Sequence, residues 1–174
     1  MPVAPRDIED AIHEFFSCIE AEGVEPDERI RRLQRALDRL AFLEHNISVR
    51  FDDRDYPDPP DVDSDALRRL ISRGFPELGY YNIPDCITLD IAATEILVGD
   101  AINDVADIAR ELTDIRWRWE HTSVDDALWN FQNMYFVHWE AHLRQLQLFL
   151  QRLGRSDEDR EDGPTPIKGI KGKF

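Results

Sequence analysis

His138 and His142 stand one helical turn apart on a pattern of apolar residues formed by Leu128, Phe131, Tyr135, Leu146, Phe149 and Leu153, so both imidazoles share the apolar face of one helix. An imidazole there can ligate a metal, carry a proton near neutral pH or satisfy a buried carboxylate. Upstream, Asp100, Asp104, Asp107, Glu111 and Asp114 recur at alternating steps of four and three, which places five carboxylates on one face of a second helix. Such a run is by default a solvated acidic surface. A short turn near His121 and Thr122 nevertheless makes the two helices antiparallel neighbours. With the turn centred between Glu120 and His121, His138 is level with position 103 and His142 with position 99. Asp100, Asp104 and Asp107 then fall within reach of the imidazoles.

Three chemistries are compatible with this arrangement. In the leading one, each histidine donates a ring N–H to an aspartate, forming a structural network of buried polar groups. In the second, His138 and His142 hold a divalent metal with Asp104 or Asp107, a donor set suited to zinc, iron or manganese. In the third, a histidine and aspartate act as a general base in a cleft, although no nucleophile or phosphate-binding loop accompanies them. The segment His138 to His142 is not the zincin motif, because Glu140 is displaced by one position from the catalytic base of that motif. Trp129 and Trp139 join Trp117, Trp119, Tyr135 and Phe136 around the same hairpin, where aromatic area most often builds core. Asp61, Asp63 and Asp65 begin like a calcium loop, but Ala66 and Ser72 replace its glycine and its bidentate glutamate.

The elements that must position these residues read as follows. Ile8, Ile12, Phe15 and Ile19 predict a helix over about residues 6–22, closed by Gly23. A second begins at Pro26 and carries Ile30, Leu33, Leu37, Leu40 and Leu43. Residues 50–65 form an acidic, proline-rich linker, followed by a short helix from Ser64 to about Ser72 and an irregular stretch holding Phe75, Tyr80 and Tyr81. Ile87, Leu89 and Ile91 alternate with polar residues, yet without a second strand to pair they are expected to lead into the next helix. That helix is expected over Thr94 to Trp119. Ser123, with Asp126 three residues on, caps a fifth helix that ends at Gly154.

Composition narrows the function further. Thirty-six acidic residues against 21 basic ones leave a net charge of -15, which argues against binding nucleic acid or an anionic membrane surface. All three lysines, Lys168, Lys171 and Lys173, fall in the last seven residues, so no lysine in the body can form a Schiff base or complete a phosphate-binding loop. Cys18 and Cys86 lack the spacing of a zinc or redox motif and read as buried free thiols. No signal peptide and no apolar run of about 18 residues is visible, so a cytoplasmic location is expected.

The run Asn103-Asp104-Val105-Ala106-Asp107-Ile108 with Glu111-Leu112, then Asp126-Ala127-Leu128-Trp129, then Phe136-Val137-His138-Trp139-Glu140-Ala141-His142, resembles the bacterial family known as domain of unknown function 5063. That family carries an Asp-Asp-Leu-x-Asp-Ile-Tyr segment on one helix and Ala-x-Trp followed by His-Trp-x-x-His on the next. The resemblance extends over roughly residues 95 to 150, with Asn103 in place of the first Asp, Ala109 in place of the tyrosine and Glu140 where glycine is common. It implies an all-helical bacterial protein in which Asp104, Asp107, Trp129, His138, Trp139 and His142 form one recurring unit, and it implies no activity.

The expectation is therefore all-α: a bundle of about five helices with a long antiparallel C-terminal hairpin, a single domain over residues 1–154 and a disordered charged tail over 155–174. Function is expected to be that of a non-catalytic interaction or regulatory module with no cofactor, meeting an unidentified protein partner and open to self-association. One alternative is a metal-binding protein, or a metal-dependent hydrolase of a phosphorylated small molecule, using His138, His142, Asp104 and Asp107. Another is an acidic partner that mimics nucleic acid toward a basic protein.

Overall fold

A computed structural model describes residues 3–90 and 93–154; the expected tail over 155–174 and the position of Ile91 lie outside the described residues. Among the described residues the chain is mostly helical, with one two-stranded sheet. Helix α1 (Pro5–Ile19) starts where Asp7 accepts the backbone N–H of Ala4 at 2.7 Å, and Gly23 turns the chain with a φ of 68° that L side chains rarely adopt. Helix α2 (Pro26–Asn46) opens on a proline and two acidic residues, both favoured in a first turn. Ile8, Ile12, Phe15 and Ile19 of α1 are buried with Leu33, Leu37 and Leu40 of α2 in one core, which also takes in the later helices. Cys18 is buried there, and desolvation pushes its thiol up to about 11; Cys86 is exposed, contrary to expectation, because it lies in the turn of a projecting hairpin.

Residues 47–63 are irregular and lead to α3 (Ser64–Gly74), which is capped by Asp63 accepting from the Ala66 N–H at 2.8 Å. The next segment overturns two expectations. Tyr80–Pro84 is strand β1 and pairs antiparallel with β2 (Ile96–Asp100), with Tyr81 opposite Gly99 and Ile83 opposite Leu97. A second strand is thus present, hidden in apolar residues whose period also suits a helix. Helix α4 (Ala101–His121) begins seven residues later than expected, because Asp100 accepts from the N–H groups of Ile102 and Asn103 and fixes the helix start there.

Ser123 caps α5 (Val124–Met134) as anticipated, accepting from the Asp126 N–H at 3.1 Å. The fifth helical run is not uniform: Tyr135–Trp139 is a π turn, and α6 (Glu140–Leu153) follows. The wider turn shifts the buried seam. Phe131, Tyr135, Trp139, Leu143, Leu146 and Leu150 fill the core, whereas His138, His142 and Phe149 are half-buried at its margin and Leu153 is exposed. Among the described residues no helix is long and apolar enough to cross a membrane.

Candidate functional site

The acidic stripe does not face open water: Asp104 and Glu111 are buried beside His142 and His138, and Asp100, Asp107 and Asp114 are half-buried. The default reading of a solvated stripe fails because the core-facing side of α4 is wide enough to include two of the five. His142 Nδ1 lies 2.8 Å from Asp104 Oδ1, and its Nε2 lies 3.9 Å from Asp107 Oδ2. The hydrogen bond to Asp104 raises the His142 pKa, an effect that outweighs the opposing cost of burying the imidazolium.

Asp104 has a second partner. The Tyr81 hydroxyl donates to its Oδ2 at 2.5 Å, and burial together with this bond pushes the phenol far above its ordinary range. Strand β1 delivers that hydroxyl, and two contacts hold the ring: it stacks on Phe149 of α6 at 4.7 Å, and it lies over Gly99, where a Cβ would stand 2.7 Å from it. The short hairpin thereby brings a phenol to α4.

His138 Nδ1 lies 2.9 Å from Glu111 Oε1, but the geometry does not make an aligned hydrogen bond. The two imidazoles are 5.2 Å apart with planes at 64°. Around them Asn103 donates to Asp107 at 2.7 Å, Arg110 approaches Glu111 at 3.0 Å, and Arg68 of α3 holds Asp100 at 2.6 Å. The site is a chain of acid–base pairs joining α3, β1, α4 and α6.

Of the anticipated residues, His138, His142, Asp104 and Asp107 come together. His138 meets Glu111 rather than the level of position 103, and His142 meets Asp104 rather than the level of position 99. The turn lies at Thr122 and Ser123, later than assumed, and the π turn moves α6 further along α4. Trp129 is not part of the cluster, since its ring packs against Phe51 at 5.2 Å, and Trp139 belongs to the core against Phe131 and Tyr135. Sequence reasoning missed Tyr81, which only the strand pairing brings near. It also missed a second polar group: buried Glu44 lies 2.9 Å from His45 Nδ1, the Arg144 guanidinium of α6 contacts the same imidazole, and desolvation raises the Glu44 carboxyl.

Among the described residues no group of three or more His, Cys, Asp and Glu side chains is arranged to hold a metal ion. The geometry gives the reason, because the two imidazoles turn Nδ1 toward different carboxylates and Asp104 has both oxygens engaged. A hollow of about 410 Å³ bounded by Pro59, Asp61, Asp114 and Met134 reaches the cluster only through Arg110 and Glu111.

Fold and site together define a mostly helical protein whose last helices are tied by histidine–carboxylate contacts. No protein-family profile matches the chain, and no curated protein matches it in sequence. Among solved structures, the crystal structure of protein BF1032 from Bacteroides fragilis is similar, with a TM-score of 0.66 at 14% identity over 87% of this chain and 90% of that one. The likeness is one of fold.

Proposed function

We propose that this protein is a non-catalytic interaction module whose C-terminal half is an antiparallel helical hairpin, fastened by histidine–carboxylate pairs and meeting a protein partner through an acidic surface. The observation that carries this reading is the double engagement of Asp104: His142 takes one oxygen and Tyr81 the other. Asp104, His142 and Tyr81 are committed to one another, as in a structural network whose members satisfy each other, whereas the buried Nδ1 of His138 makes no hydrogen bond among the described residues. A bacterial, cytoplasmic origin and membership of the domain of unknown function 5063 family belong to the same proposal, supported by the order and spacing of Asp104, Asp107, His138, Trp139 and His142.

The test uses untagged full-length protein. Asp104→Asn and His142→Gln are expected to lower the urea midpoint, and elemental analysis of the wild type is expected to find no stoichiometric metal. Zinc, iron or manganese at one equivalent per chain, lost from the His138→Ala, His142→Ala double variant, would replace this reading with the metal-binding one.

A further inference from the structure

The β1–β2 hairpin exposes apolar side chains in an entirely acidic segment. Residues 77–100 contain Glu77, Asp85, Asp90, Glu95 and Asp100 and no lysine, arginine or histidine. Within it Tyr80 and Val98 are each 75% exposed and Ile96 is 64% exposed. The alternation of the strands puts these three on one face with Asn82 and Pro84, while Tyr81, Ile83, Leu97 and Gly99 share the other.

The ladder also shows which backbone groups point outward. Asp85 donates to Glu95 at 3.0 Å and Ala101 to Gly79 at 3.1 Å, so the odd-numbered residues of both strands bond inward. The N–H and C=O groups of Ile96 and Val98 consequently point away from β1. On the opposite edge Pro84 has no N–H to offer, which leaves β2 as the edge with its donors intact. Among the described residues the sheet has two strands only, and no further backbone hydrogen bond reaches Ile96 or Val98.

We propose that the outer edge of β2 receives an extended segment of a basic partner protein as a third strand, its side chains alternating between apolar residues and Lys or Arg. Apolar side chains of that segment lie beside Ile96 and Val98. The intervening cations fall on the face that carries Glu95 and, across the ladder from it, Asp85. Strand addition draws its affinity from main-chain hydrogen bonds and its specificity from alternate side chains, and both are available here. A second copy pairing through its own hairpin is the poorer occupant, because that segment brings five more carboxylates and no lysine, arginine or histidine to the same edge. The inference rests on the proposed acidic interaction surface and adds where the partner sits and in what conformation.

The probe is a labelled peptide, Lys-Val-Lys-Ile-Lys-Val-Lys-Ile, titrated into the full-length protein at low and high salt, alongside the same peptide N-methylated at alternate backbone positions. Saturable binding is expected, weakened by salt and by about tenfold or more in Val98→Lys, because a charge and a long side chain block a strand edge. The exposed position lets that variant keep the wild-type unfolding midpoint. The N-methylated peptide is expected not to bind, and the amides of Ile96 and Val98 to gain exchange protection only when the unmodified peptide is present. Equal binding of both peptides would reduce the effect to charge attraction and overturn the strand. Protection of those amides in the free protein would show the edge already covered, by the chain itself or a second copy, and would also overturn it. Absence of saturable binding would defeat this inference while leaving the stability and metal tests of the proposed function untouched.

Discussion

The partnership of His142 with Asp104 is an ionic-state question at the scale of one residue. Because the folded imidazole holds its proton more tightly than an unfolded one, this group contributes stability in full below the ordinary histidine value of about 6.5, and loses it as pH rises through the raised folded value. Stability of the wild type relative to His142→Gln is therefore expected to shrink between pH 6 and the alkaline side, measured by urea unfolding across that range. Burial also raises the carboxyls of Glu44 and Asp114, and comparing two proteins that share them isolates the imidazole. Parallel curves for the two proteins would mean that the hydrogen bond does not distinguish the protonation states. A second residue-scale expectation concerns Asp104→Asn, which removes a buried charge that accepts from two donors. It should cost about 1–3 kcal/mol at neutral pH, and a loss below a few tenths would show that the pairs are ornamental.

Elements explain why the site could be read only in part. Asp104 and His142 were visible as partners because both lie on helices whose apolar period is strong, and the Ser123 cap was visible because capping is a local matter. The start of α4 was not, since Ile96, Leu97 and Val98 suit either element and only pairing with Tyr80–Pro84 decides between them. Tyr81 was hidden for the same reason. The hairpin therefore has a sharp test: Gly99→Ala places a methyl within 2.7 Å of a ring that cannot retreat from Phe149 without leaving Asp104. It is expected to destabilise by about 1–3 kcal/mol, and by much less in a Tyr81→Ala background, because the clash needs both partners. Additive losses would place the cost elsewhere than the ring. The register of His138 was misread because nothing in a three-and-four count announces a π turn. Beyond Phe131 the buried seam runs Tyr135, Trp139, Leu143 in steps of four, a period too long for a straight α-helix. Deleting exposed Val137 restores steps of four and three along that seam, so the deletion variant is expected to fold with wild-type helical content by circular dichroism. Collapse of the helical signal would mean that the π turn itself is required for packing.

At the scale of the whole molecule the governing quantity is charge. Residues 155–174 carry five basic and five acidic side chains, so the entire excess of -15 belongs to residues 1–154. Folding concentrates that charge, and self-repulsion opposes the compact state. Ion pairs work the other way, for example Arg31, Arg32 and Arg35 around Glu28 and Arg39 on Glu14, but most are substantially exposed, so solvent screens them and each contributes little. Salt screens both effects. Since the unpaired excess acts over the whole surface while the exposed pairs are few and local, screening should relieve more repulsion than attraction. Raising sodium chloride from about 0.05 to 0.5 M at neutral pH is therefore expected to raise the melting temperature, with screening already strong at the upper concentration. The same change should weaken capture of a cationic segment by the hairpin, so stability and binding respond to salt in opposite directions. A melting temperature that falls with salt would show that the pairs on α2 and between α3 and α4 outweigh the net charge, and that the acidic excess is tolerated through local pairing rather than held in reserve for a partner.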